Sequence, residues 1–95
     1  MEYKITREMI EELYDAFIVL ENRDECEIFF EDLFTIGELE QFAQRLRAAK
    51  LILDGKTYSR IIEETDISSA TLSRVSHCVK RGRGGYKTII EKTKK

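Results

Sequence analysis

Residues Thr57–Lys80 read TYSRIIEETDISSATLSRVSHCVK. The stretch divides into two short helices around a tight turn. Thr57 offers a hydroxyl to cap the first helix, which runs through Thr65. Asp66, Ile67 and Ser68 make the turn. Ser68 is placed to cap a second helix from about Ser69 to Val79. The apolar positions are Ile61, Ile62, Ile67, Leu72, Val75 and Val79. Leu72, Val75 and Val79 give the second helix a single apolar stripe. That stripe is expected to pack on Ile61 and Ile67, leaving Ser69, Ala70, Ser73, Arg74, Ser76 and His77 on other faces. A short polar helix presented by its predecessor is the geometry of a helix-turn-helix, whose second helix enters the DNA major groove. An αα-corner in an ordinary helical domain would share the pattern, and charge separates the two readings.

Residues 1–40 hold thirteen acids against three bases, and residues 41–95 hold thirteen bases against five acids, within a net charge of −2. No acid lies between Ile67 and Ile90, where Arg74, Lys80, Arg81, Arg83 and Lys87 are all basic. Such asymmetry points to an anionic partner at the basic end.

The flanking segments read as helices too. Met9, Leu13, Phe17 and Leu20 recur every three or four residues from about Thr6, a candidate cap. The stripe is broad, widened by Ile10, Tyr14 and Ile18, which suggests burial against a second subunit. Asn22, Arg23 and Asp24 read as a turn, with Asp24 capping a helix that turns Cys26, Phe29, Phe30 and Leu33 inward. Thr35 and Glu38 form a capping box, and Phe34 is set to staple against Leu39. The long helix beyond it, to about Leu53, is expected to bury Leu39, Phe42, Ala43, Leu46, Ala49 and Leu53, with Arg45, Arg47 and Lys50 outward. Gly55 suits the left-handed position after its end. Beyond Lys80, RGRGG breaks the chain as a flexible basic hinge. The last segment, Tyr86–Lys95, has Tyr86, Ile89 and Ile90 on one side and reads as a short helix or a fraying end.

Ninety-five residues make one domain, 1–95, with a core modest enough that association would help it. No apolar run spans a membrane, and MEYKITREM lacks the core of a signal peptide, so the expected location is the cytoplasm. Cys26 and Cys78 belong to no CxxC pair, and one histidine completes no ligand cluster, so reduced thiols and no metal are expected.

Three function classes compete for this pattern. For DNA, Ser69, Ala70, Ser73 and Arg74 would face the groove, and Ala70 could touch a thymine methyl. Ser59, Lys80 and Arg81 would hold phosphates. Ser68 could also face DNA, although capping alone accounts for it. Exposed serine is a weak helix former, so its recurrence at 69 and 73 wants a reason. For catalysis the chain offers no Ser/His/Asp arrangement, no strand and no phosphate loop after one, and no enzyme activity is expected. A helical protein–protein interaction module without DNA binding is the alternative, and it leaves the basic 67–90 stretch unexplained.

The order of helices, Phe34-Thr35 before the long helix, QRLRAAKLILDG and SATLSRVSHCVKRG together resemble the Trp repressor superfamily, and within it the TrpR-like YerC/YecD branch. The resemblance covers about Asp24–Gly85 and, more loosely, the whole chain. It implies an all-α chain of about six helices intertwined with a second copy. It also implies a homodimer whose recognition helices lie about 34–36 Å apart, one turn of a palindromic operator in double-stranded DNA. The expected role is a sequence-specific transcriptional regulator of the repressor type. In the Trp repressor a tryptophan corepressor lies between two arginines. Arg45 and Arg74 match them, and Thr35 matches another pocket residue. Val75, however, stands where the repressor has Gly, and Cys78 where it has Ser. An isopropyl group there fills ligand space and can itself hold the recognition helix in place, so no cofactor is expected. Phosphate contact or surface pairing would equally account for Arg45 and Arg74.

Overall fold

The computed structural model describes residues 4–94. The sequence expectations on residues 1–3 and on Lys95, the last of the C-terminal lysines, lie outside it. Among the described residues there are six helices and no strand: α1 (Arg7–Ile18), α2 (Arg23–Leu33), α3 (Ile36–Leu53), α4 (Tyr58–Thr65), α5 (Ser69–Arg81) and α6 (Gly85–Thr93). The chain divides into two compact units, residues 1–35 and 36–95.

In the first unit, Thr6 caps α1 by accepting from the Met9 amide at 3.1 Å. The expected helix to Leu20 stops at Ile18, with Val19 as its cap. The cap of α2 is Asn22 and not Asp24: Asn22 Oδ1 accepts from the Glu25 amide at 2.9 Å. Glu25 in turn accepts from the Glu21 amide at 3.0 Å, so one side chain satisfies a donor ahead of the helix while its own amide is capped. Asp24 instead lies in the first turn, where a carboxylate favours the helix dipole. The two helices meet through aromatic rings. Phe17 lies 6.1 Å from Phe29 and 5.3 Å from Phe30 between centroids, and Phe30 lies edge-on to Phe34 at 5.2 Å. Yet neither α1 nor α2 has a buried residue. Leu33, expected inward, is exposed, and Cys26, Phe29 and Phe30 are half-buried.

The second unit is built on α3, which lies against α4, α5 and α6. Its core is Ala48, Ala49 and Leu51 from α3, Ile61 from α4, Ile67 from the turn, Leu72 and Val75 from α5, and Ile90 from α6. Ala48 and Ala49 are wholly buried, and their small side chains let the neighbouring helices approach the α3 backbone. The expected inner face of α3 is corrected here. Phe42, Ala43, Leu46 and Leu53 are exposed, while Gln44, Arg45 and Lys50 are half-buried. Both sides of α3 carry apolar residues, so periodicity could not say which one its own chain covers.

Gly55 ends α3 as expected, at φ +82°. Its amide reaches the Ile52 carbonyl and the Lys56 amide reaches that of Leu51, each at 3.0 Å, closing the last turn with two main-chain bonds. The helix break expected at RGRGG is a three-residue connection, 82–84, with Arg81 ending α5 and Gly85 opening α6. A Cβ on Gly82 would collide with the Cys78 carbonyl, and Gly84 takes φ +85°. The connection leads into a docked helix, α6: Ile90 is buried and Tyr86 half-buried, although Ile89 is exposed.

Candidate nucleic-acid interface

The interface is built from the turn outward. Thr57 caps α4 by accepting from the Arg60 amide at 3.2 Å. Asp66 ends α4 in the left-handed region, at φ +59° and ψ +21°. This is the turn conformation that glycine usually supplies and that aspartate tolerates better than most residues. Thr65 braces the turn from inside. Its hydroxyl donates to the Ile61 carbonyl at 2.7 Å and accepts from the Ile67 amide at 3.3 Å. Ile67 is thereby held inward, 2% exposed.

Ser68 caps α5. Its Oγ accepts from the Thr71 amide at 3.1 Å and its hydroxyl donates to Thr71 Oγ1 at 2.9 Å. Ser69, Ala70, Ser73 and Arg74 are all exposed along the first two turns of α5. Leu72, Val75 and Ser76 on the opposite side are buried. Ser59, in the first turn of α4, is exposed, as are Lys80 and Arg81 in the last turn of α5. Arg60 pairs with Glu64 at 3.4 Å, whereas Arg74, Lys80 and Arg81 have no carboxylate partner among the described residues.

Ser76 corrects an expectation. The sequence pattern puts it on an outer face, and it is 4% exposed. The hydroxyl of Tyr58, at the start of α4, donates to Ser76 Oγ. Lys80, one turn further along α5, places its ammonium 6.0 Å from the centroid of the Tyr58 ring. Sequence reasoning missed Tyr58 entirely. The available signal was spacing, since residue 76 falls one turn beyond Leu72, within the stripe.

Of the four residues matched to a ligand pocket, Thr35 ends the first unit. In the second, Val75 is buried in the core at 2% exposure, and Arg74 is exposed. Arg45 lines a cleft of about 410 Å³ with Gln41, Gln44, Asp66, Ser68 and Thr71. Its Nε is buried without a hydrogen-bond partner among the described residues, and its guanidinium carbon stands 5.9 Å from the Phe42 ring centroid. The six side chains lining this cleft are all polar. Of the residues matched to a ligand pocket, this cleft takes in Arg45 alone.

The described helices include none long and apolar enough to cross a membrane. Comparison with known proteins places the architecture. The sequence pattern of the Trp repressor protein family matches residues 8–94. The uncharacterized protein YerC of Bacillus subtilis (strain 168) is 36% identical over 91 residues, covering 96% of this chain and 88% of its own. A Staphylococcus aureus crystal structure, of a candidate Trp repressor, superposes with a TM-score of 0.87 at 41% identity, covering 92% of this chain and 87% of that one. A TrpR-like protein from Eubacterium eligens ATCC 27750 gives 0.85 at 38% identity, covering 92% and 89%. The all-α fold agrees with these relatives, and the chain belongs to the Trp repressor family, in its TrpR-like YerC branch.

Proposed function

We propose that this protein is a sequence-specific transcriptional regulator that binds a palindromic operator as a homodimer and represses by occupying it. The observation that carries the reading is the two-sidedness of α5. Leu72, Val75 and Ser76 anchor it, and Ser69, Ala70, Ser73 and Arg74 are exposed within a stretch of sequence that has no acid between Ile67 and Ile90. In this role Ser69, Ala70, Ser73 and Arg74 meet base edges or groove walls. Ser59, Lys80 and Arg81 hold phosphates. Ser68 serves chiefly as the cap that orients the first turn.

The dimer is supported by exposed apolar surface. Among the described residues more large hydrophobics are exposed than buried, including Met9, Leu13, Phe17, Ile28, Phe42 and Leu46. A monomer rarely leaves so much apolar area open, and a second copy would cover it. The reading assigns no catalytic step, no membrane and no tryptophan-dependent step, and a cytoplasmic location accords with it. Val75, packed in the core, holds α5 by side-chain packing.

Selection of bound sequences from a random duplex library at near-physiological salt tests the proposal. A palindrome with half-sites one turn apart is expected. Recovery of nothing above background would overturn it and leave the interaction-module reading standing.

A further inference from the structure

Ser76 is the one buried polar side chain of the second unit's described residues, and the hydrogen bond it accepts comes from Tyr58. Those two residues sit far from the turn that joins their helices. Tyr58 opens α4, seven residues before Thr65, and Ser76 lies seven residues into α5 from Ser69. At about 1.5 Å per residue each arm is about 10 Å long. Asp66–Ser68 hinges the arms at one end, and the core contacts of Ile61 and Leu72 lie between. The Tyr58–Ser76 bond closes the open side of this triangle. A hydrogen bond there acts at the greatest distance from the hinge, where a fixed length holds the angle between α4 and α5 most tightly.

The chemistry of the pair suits this task. A buried serine hydroxyl needs a partner, and leaving it unmade is costly. Tyr58 is 44% exposed, so its ring spans from the buried hydroxyl to the surface. There the Lys80 ammonium stands 6.0 Å from the ring centroid. One side chain thus bonds to α5 at Ser76 and, one turn on, has the Lys80 ammonium over its ring. Its sequence neighbour Ser59 is exposed in the same turn of α4.

We infer that Tyr58 is a positioning residue for sequence reading: its hydroxyl, through Ser76, fixes the angle at which α5 presents Ser69, Ser73 and Arg74 relative to the phosphate-holding Ser59, Lys80 and Arg81. The inference rests on the DNA-binding role proposed above. Reading base edges needs α5 at one depth and angle. Phosphate attraction tolerates several, because it is a matter of charge and not of register. Loss of the bond therefore lowers specific affinity and spares non-specific affinity.

The test is a double-mutant cycle of Tyr58→Phe and Ser76→Ala in the full chain, with three readouts: affinity for a selected operator, affinity for random duplex, and thermal midpoint. Tyr58→Phe keeps the ring beneath Lys80 and is expected to weaken operator binding about three- to tenfold, with random-duplex affinity and salt slope unchanged. It orphans the buried Ser76 hydroxyl, so the midpoint falls. Adding Ser76→Ala removes the orphan, so the midpoint recovers while the operator affinity does not. An operator loss that recovers with the midpoint would overturn the inference, as would equal losses on operator and random duplex. A fourth readout, amide exchange of residues 69–76 without DNA, is expected to speed up in Tyr58→Phe. If the parent binds no DNA, the proposed function falls, and unchanged exchange would remove the bracing role separately.

Discussion

The side-chain amide of Gln44 on α3 donates to the Thr65 main-chain carbonyl at 2.8 Å, across 21 positions of sequence. The last carbonyls of a helix have no partner within it. Gln44 supplies one to the end of α4 at the point where the chain enters the Asp66 turn, so the long helix governs where α4 stops. Gln44→Leu keeps most of the volume and removes the donor. It is expected to cost about 1 kcal/mol and not more, because Thr65 is only half-buried and water can reach it in part. Urea denaturation should show a lower midpoint at unchanged slope. An unchanged midpoint would show that the bond contributes nothing.

Asp66 makes a second prediction because it holds φ +59° without being glycine. Asp66→Gly is expected to be at least as stable as the parent, gaining up to about 1 kcal/mol. Asp66→Val places a β-branched side chain in the same conformation and should lose about 1–2 kcal/mol. Thermal midpoints rank the three. Equal midpoints for Gly and Val would mean that the turn has relaxed out of the left-handed region.

These two sites show what the chain alone could reveal. The boundaries of α4, its cap Thr57, the turn 66–68 and the cap Ser68 were legible because each rests on local chemistry: a hydroxyl reaching an amide three residues on, or a short polar residue where the chain reverses. The start of α2 was misread by two residues, since Asn22 and Asp24 are both good caps and only the geometry chooses between them. The covered side of α3 was legible only in part. Ala49 was expected inward and is wholly buried, but Phe42 and Leu46, larger and more apolar than Ala48, are exposed while Ala48 is buried, because close helix approach needs small side chains. Ser76 was misplaced for a related reason: its type suggests solvent, and its burial depends on a tyrosine 18 residues away.

Within the core, Leu72 is wholly buried where α5 meets the α3–α4 pair. Leu72→Ala removes a large side chain from a site that cannot fully collapse, and should cost about 2–5 kcal/mol. In a core of so few buried residues that is a large share of the total, so the thermal transition should drop steeply or vanish at 37 °C. A loss below about 1 kcal/mol would place Leu72 outside the core.

Arg81 and Ser73 separate attraction from reading. Arg81 is exposed at the end of α5 without a carboxylate partner among the described residues. Arg81→Ala should weaken binding to all duplexes alike and flatten the log–log salt dependence by about one unit. Ser73, exposed on the same helix, should change the preferred sequence when replaced and leave the salt slope as it was. If both variants bind every duplex like the parent, α5 does not meet DNA.

The exposed side of α3 carries the last prediction. Phe42 is 44% exposed, Leu46 40% and Leu53 36%, spaced along one side of the helix opposite Ala48 and Leu51. If a second copy covers them, the parent should sediment near twice 11.1 kDa. Leu46→Glu would then place a carboxylate in an apolar contact, where burying it unpaired is costly enough to prevent association. That variant should sediment near 11.1 kDa or lose its thermal transition, while Leu46→Met should remain dimeric. A parent already at 11.1 kDa would remove the twofold argument and with it the palindrome. A dimer indifferent to Leu46→Glu would place the contact elsewhere, on the exposed stripe of Met9, Leu13 and Phe17.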